Sequence, residues 1–190
     1  MPNYGLTAPR TVLDEALARH AQTSGAHLFE NTQVTEAFFE SGWVAGVHAE
    51  VTDGRGRRTG ERVTFRAPLV IAADGVSSRT AVKMGIRKRD DRPMGVAVRT
   101  YFESPRHDDD FIESWLELRA DTGSGGSGEP LPGYGWLFPL GDGTINVGLG
   151  MLNTSPDFRS VDYKKTLHQW AGSVGQRWGI DPDAALTDAK

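Results

Sequence analysis

Across residues 11–24 the apolar positions Leu13, Ala16, Leu17 and Ala21 recur at three- and four-residue spacing, the mark of one helical face. Thr11 followed three positions later by Asp14 resembles a capping box, with Asp in place of the usual Glu or Gln, and Gly25 is a natural stop. Pro9 holds Ala8 extended, so Arg10 falls at the entry to the helix. Beyond Gly25 the period shortens. Residues 27–29 are a short strand candidate, and residues 34–39 and 44–51 predict an antiparallel pair turning at Ser41-Gly42. Asp53-Gly54 signals a second hairpin that returns along residues 62–67, giving a meander. Residues 69–72 are continuously apolar, as a buried strand would be. That run ends in Asp74-Gly75, and Ser77-Ser78 open a short predicted helix to Met84, with Gly85 beyond it. Strand, tight turn and helix start form the local geometry of a ligand crevice at a strand's carboxyl end.

The second half alternates over longer stretches. Residues 94–102 and 111–118 predict strands of a second sheet, joined through His107-Asp108-Asp109-Asp110. Residues 121–130 are rich in Gly and Ser and read as a mobile loop. Residues 133–139 and 144–152 predict a hairpin around Asp142-Gly143. A closing helix is expected over about 161–177, with Leu167, Trp170 and Val174 on one face. Because composition shifts near residue 90, the expected organisation is two incomplete domains, 1–90 for a cofactor and 91–190 for a substrate.

Composition narrows the function classes. A chain of 190 residues with 38% hydrophobic and 24% charged content can fold around a sizeable core. A net charge of −4 supplies no concentrated basic face, so nucleic acid is not the expected partner. The absence of cysteine excludes disulfides, thiolate metal sites and cysteine nucleophiles, and fits a reducing cytosol. The longest apolar run, residues 67–73, falls far below the roughly 20 residues of a membrane span, and residues 1–5 have no signal-peptide character. A lipid substrate would be met in a pocket or at a membrane surface. The expected location is cytoplasmic, or peripheral at the inner face of the membrane.

Two motifs carry chemistry. Asp74-Gly75-x-x-Ser78 brings a carboxylate and a flexible glycine to a strand end, and the N–H groups opening the next helix suit a phosphate or ribose. The same residues also make an ordinary turn with Ser78 as N-cap. In the second motif, Tyr134, Trp136 and Phe138 share one face of a strand that ends at Pro139, and Gly148 and Gly150 share a face of the return strand. Three aromatics can wall a groove for an apolar tail, where burying about 100 Å2 of a prenyl unit at roughly 25 cal/mol per Å2 is worth about 2.5 kcal/mol. The glycines would leave room for a ring or substrate. The plain alternative is that the aromatic face is core packed under the closing helix. Gly123 to Gly128 formally spells Gly-x-Gly-x-x-Gly, but no buried strand precedes it and Glu129-Pro130-Leu131-Pro132 opens no helix, so it reads as loop. His107 with Asp108, Asp109 and Asp110 has no second cluster, and no metal is expected. No Gly-x-Ser-x-Gly elbow supports a hydrolase.

Residues 69–79, Leu-Val-Ile-Ala-Ala-Asp-Gly-Val-Ser-Ser-Arg, resemble the Asp-Gly motif of flavoprotein monooxygenases and their relatives. Arg10-x-x-x-Asp14-x-x-Leu17, Gly25-Ala26 and Val34 follow in that family's order. The resemblance implies that Arg10 contacts the flavin, that Val34 meets the adenine end, and that Asp74, Gly75 and Ser78 lie by the pyrophosphate and ribose. One position departs: Ala81 stands where the pattern often has Arg, and the chain carries Arg79 instead. Tyr134-x-Trp136-x-Phe138-Pro139, then eight residues and Gly148-x-Gly150, is similar to the substrate-domain motif of the geranylgeranyl reductase family of FAD-dependent oxidoreductases. The fold implied is α+β or α/β, part of an FAD-binding Rossmann-like domain with a β-meander plus an antiparallel substrate sheet under a covering helix. The function implied is reduction of isoprenoid C=C bonds in a geranylgeranyl or menaquinone prenyl chain by a flavoprotein. FAD is the cofactor, NAD(P)H or another reductant the electron source, and an isoprenoid lipid the partner. Tyr134, Trp136, Phe138, Pro139, Gly148 and Gly150 would meet that substrate. No catalytic residue is identified; Tyr134 and solvent both stand as proton sources. A monooxygenase or halogenase acting on an aromatic substrate shares the first half of the chain but not the Tyr-x-Trp-x-Phe-Pro block, and a non-catalytic lipid-binding remnant is a third reading. The family's N-terminal dinucleotide fingerprint and its later Gly-Asp motif have no counterpart, so the chain is expected to be the middle of a flavoenzyme that binds FAD weakly or not at all by itself.

Overall fold

The computed structural model describes residues 4–87, 89, 91–121, 127–154 and 156–190. The chain divides into two compact units, Ala16–Asp90 and the pair of segments Met1–Glu15 and Asp91–Lys190. Helix α1 (Arg10–Thr23) starts one residue before the predicted capping box. The carbonyl of Pro9 accepts from the N–H groups of Val12 and Leu13, both at 3.0 Å, and Arg10 Nε donates to Asp14 Oδ1 at 2.7 Å. Asp14 is therefore an ion-pair partner rather than a cap. No residue of α1 is buried, and Leu13 and Leu17 of its apolar stripe are exposed.

The unit Ala16–Asp90 is built on a meander of β1 (Thr32–Glu40), β2 (Trp43–Thr52) and β3 (Arg58–Arg66), antiparallel and in chain order. Ser41 and Gly42 both take positive φ, 51° and 83°, which gives the primed two-residue turn that matches strand twist. At the far end Asp53 Oδ1 accepts from the N–H groups of Arg55 and Arg57, closing the second turn. Helix α2 (Arg79–Lys83) follows. Two strand expectations fail here. Residues 27–29 are irregular, and so are residues 69–72, where Leu69 and Ile71 are 73% and 81% exposed. A doubly buried strand exists only between neighbouring strands, and among the described residues none pairs with this run.

The other unit holds the main core. β4 (Gly95–Glu103), β5 (Glu113–Trp115), β8 (Gly133–Pro139) and β9 (Thr144–Leu152) form a sheet in the order β4-β9-β8-β5, antiparallel throughout. The strand expected over 111–118 is thus shortened to three residues. At its entry the Phe111 N–H turns back to Asp109 Oδ1 at 3.1 Å, and after it the Leu118 carbonyl accepts from Leu131. Across the expected loop, β6 (Arg119–Asp121) pairs with β7 (Ser127–Pro130), while Gly123 to Gly126 of the formal glycine fingerprint lie outside the described residues. Helix α3 (Tyr163–Trp178) covers one sheet face. Asp162 caps it, accepting from the Lys165 N–H at 3.1 Å, and Gly179 ends it in the left-handed conformation. Leu137, Ile145 and Val147 are buried with Leu167, Trp170, Val174 and Trp178 of that helix. The result is a mixed α/β chain with antiparallel sheets.

Candidate functional site

In the meander unit the Asp-Gly turn is built around its carboxylate. Gly75 has φ 81°, a conformation that L side chains rarely adopt, and its carbonyl accepts from the Ser78 N–H at 3.0 Å. The turn brings the Ser78 hydroxyl to 2.5 Å from Asp74 Oδ1 and the Thr80 N–H to 3.2 Å from Asp74 Oδ2. The bond from Ser78, and after it that from Thr80, holds the Asp74 carboxyl down at about 2, so it is ionised at any physiological pH. Ser78 Oγ also accepts from the Ala81 N–H at 3.1 Å, as its N-cap role requires. Two of the N–H groups that open α2 therefore already have partners within the chain. The expectation that this helix start offers free donors to a phosphate is corrected on that ground.

Val34 and Asp74 line one cavity of about 530 Å3 with Gln33, Val47, Ser77, Arg79 and Thr80 and the apolar residues 70–73. That volume lies in the range of small-molecule sites. Arg79 reaches it with no hydrogen bond or ion pair to any other described residue. An acceptor-only carboxylate, an unpaired guanidinium and an apolar wall suit the hydroxyls, phosphate and ring of a nucleotide. Arg79, Gln33 and Thr80 were not read as site residues; Arg79 was visible only as a departure from the family pattern. Arg10 is exposed and engaged with Asp14.

In the larger unit the candidate residues lie on a sheet face. Trp170 of α3 packs directly on Gly135, which places Gly135 and Leu137 on the core side. Tyr134, Trp136 and Phe138 alternate with them and so occupy the opposite face. The alternative of an aromatic face packed under the closing helix is thereby excluded. Their rings form a continuous row, with centroids 5.6 Å and 6.0 Å apart. Tyr134 is 47% exposed and Trp136 only 8%. Trp136 lies across Gly148, its register partner, and donates from Nε1 to Asn146 Oδ1 at 2.8 Å. A Cβ at Gly148 would stand 2.2 Å from the indole and 2.8 Å from the Val98 carbonyl oxygen. The room left by Gly148 is thus filled by Trp136, whereas Gly150 meets nothing closer than 3.5 Å. Pro139 ends the strand, and its carbonyl accepts from the Thr7 hydroxyl at 2.6 Å. Register places Arg99 of β4 opposite Gly148 and Tyr101 opposite Asn146, on this same face. Arg99, Tyr101 and Asn146 were not singled out from sequence, although alternation with buried Val98, Thr100 and Phe102 marks Arg99 and Tyr101 as facing away from the core.

Comparison with known proteins gives these sites a context. A family model described as FAD binding domain matches residues 1–173. A menaquinone reductase of Mycolicibacterium smegmatis is 32% identical over 188 residues, which is 98% of this chain and 42% of that protein. A digeranylgeranylglycerophospholipid reductase of Methanocella arvoryzae is 33% identical over 152 residues, 78% of this chain and 34% of that protein. The chain therefore spans about two fifths or less of the length of these curated relatives. A geranylgeranyl bacteriochlorophyll reductase-like protein from Thermoplasma acidophilum shares the fold, with a TM-score of 0.66 and 24% identity over 86% of this chain and 37% of that one. No helix among the described residues is long and apolar enough to cross a membrane.

Proposed function

The chain belongs to the FAD binding domain family, and from that premise we propose that it serves FAD-dependent reduction of isoprenoid double bonds, in a geranylgeranyl or menaquinone prenyl chain. The observation that carries this reading is the aromatic row Tyr134, Trp136 and Phe138, turned away from the α3 core on an otherwise completed sheet. A prenyl tail laid along that face gains about 0.8 kcal/mol per buried CH2. The relatives that are reductases of menaquinone and of a digeranylgeranyl lipid support the same substrate class.

Residues 91–190 take the substrate role and residues 1–90 the cofactor role. Val34 and Asp74 hold the nucleotide side of FAD, with Gly75 and Ser78 fixing the carboxylate and Arg10 assigned to the flavin side. Asp74 accepts hydrogen bonds from hydroxyls, and Arg79 supplies the phosphate-binding cation that Ala81 does not. The redox chemistry is that of the bound FAD: two-electron reduction of an alkene with electrons from NAD(P)H or another donor. The chain's aromatic face orients the alkene and keeps water from it. The proton that completes the addition comes from solvent or from the half-exposed Tyr134 hydroxyl. Because the substrate is a lipid, we assign the protein a peripheral position at the inner face of the membrane.

The test supplies the full-length protein with FAD, dithionite and menaquinone or geranylgeranyl lipid under anaerobic conditions and reads the product by mass spectrometry. A gain of two hydrogens per reduced bond is expected, and it should fall steeply in Trp136→Ala. Oxygenated or halogenated product formed only in air would overturn the proposal in favour of a monooxygenase or halogenase.

A further inference from the structure

Only two arginines among the described residues are half-buried, Arg99 and Arg106. They are treated differently. Arg106 is neutralised by Asp109 at 2.5 Å and Glu113 at 3.6 Å, and its guanidinium stacks on Trp178 at 3.9 Å. The Arg99 guanidinium pairs with no carboxylate side chain of the described residues, although its unit contains 17 Asp and Glu against 10 Lys and Arg. Its Nη1 donates to the Tyr101 hydroxyl, and its guanidinium lies 5.3 Å from the centre of the Tyr101 ring. A half-buried charge is costly to leave unpaired unless something else meets it.

The surroundings state what that would be. Tyr101 accepts from Arg99, so its own O–H proton remains to be donated, and the guanidinium has further N–H groups beyond the one used. Donors without an acceptor suit a group that only accepts. Arg99 and Tyr101 stand on the aromatic face, opposite Gly148 and Asn146 in register, and Gly148 stands opposite Trp136. Two interstrand steps of about 4.8 Å put the Arg99 backbone roughly 10 Å from that of Trp136. We propose that Arg99 and Tyr101 form a head-group anchor, taking an acceptor oxygen of a prenylated substrate whose tail lies on Tyr134, Trp136 and Phe138. The proposal rests on the prenyl reading of this face. The oxygen belongs to a quinone carbonyl or to a phosphate, which share this chemistry.

Binding to the full chain is measured by titration calorimetry in detergent micelles with three probes. Menaquinone-4 and geranylgeranyl diphosphate carry heads, and squalene is an isoprene chain without one. Arg99→Gln is expected to weaken at least one headed probe by about tenfold or more, the range of hydrogen bonds to a charged group, and to leave squalene unchanged. Which probe weakens identifies the oxygen. Tyr101→Phe should give a smaller loss with the same probe, and Arg99→Lys should recover part of diphosphate binding but little of quinone binding. If circular dichroism shows Arg99→Gln unfolded, Arg99→Lys and Tyr101→Phe decide by the same comparison. Equal binding of headed probes by wild type and variants, while all bind, overturns the anchor and leaves the prenyl face standing. Failure of the wild type to bind any of the three overturns both.

Discussion

Replacing Gly148 with alanine separates a glycine that makes room for a ligand from one that makes room for the protein's own indole. The added Cβ would stand 2.2 Å and 2.6 Å from two atoms of the Trp136 ring and 2.8 Å from the Val98 carbonyl oxygen. The carbonyl belongs to the β4 strand paired with β9 and has little freedom to move, so the indole must leave. Overpacking of this kind costs about 1–3 kcal/mol. The displaced ring also loses its bond to Asn146, a further ~1 kcal/mol. The expected loss is therefore about 2–4 kcal/mol, read by urea denaturation, with Trp emission shifted to the red in the native state as Trp136 meets water. Gly150→Ala is the matched control. Its nearest neighbours would be the Val96 carbonyl oxygen at 3.5 Å and the Ala97 Cβ at 3.7 Å, ordinary contacts, so it should stay within about 0.5 kcal/mol of wild type. Equal stability of the two variants would refute the claim that Trp136 occupies the space over Gly148.

Other perturbations probe single contacts. Ser78→Ala removes the principal bond to Asp74, so the Asp74 midpoint should rise from about 2 toward the ordinary value near 3.8, followed by carbon-detected NMR. Because the folded value is the lower one, the stabilisation from Asp74 is complete above the unfolded pKa and is lost as pH falls from about 4 to 2; a midpoint unmoved by Ser78→Ala would contradict the assignment. Asn146→Leu leaves the Trp136 Nε1–H unpaired at an 8% exposed site and should cost about 1–3 kcal/mol by denaturation. Asp162→Ala, which deletes the α3 N-cap, should cost about 1 kcal/mol, and a neutral result would mean the cap is replaced from elsewhere.

The elements legible from sequence were those whose information is local. The hairpin of β8 and β9 has period-two alternation on both sides of Asp142-Gly143, and the structure closes it with the bounds the pattern gave. The apolar stripe Leu167, Trp170 and Val174 identified α3 and its buried face because helical neighbours are close in sequence. Residues 69–72 misled for the opposite reason. A continuous apolar run reports a preference for burial, but a strand is a relation to neighbouring strands, and the run is silent about those. Asp14 misled at shorter range, since a carboxylate three residues beyond Thr11 is also four residues beyond Arg10, and the charged partner wins. Arg99 was illegible because its position depends on pairing with Gly148, 49 residues later, which no local pattern fixes.

That long-range register also divides the aromatic-glycine motif into two jobs. The sheet is packed from both sides by a tryptophan over a glycine. Trp170 of α3 packs on Gly135 from the core side, and Trp136 packs on Gly148 from the open side. In each case the glycine admits an indole close to the backbone. On the open side the Asn146 side-chain oxygen Oδ1 accepts from the indole N–H, and Trp136 is nearly solvent-free. A nearly buried ring has little surface left for a ligand. On the proposed prenyl reading, Trp136, Asn146 and Gly148 would set the floor, and contact would fall to the more exposed Tyr134 and Phe138 that flank it. On this geometry, substitution at Trp136 changes the shape of the whole face. Substitution at Tyr134 changes only what a bound chain touches, so it should alter affinity without altering stability.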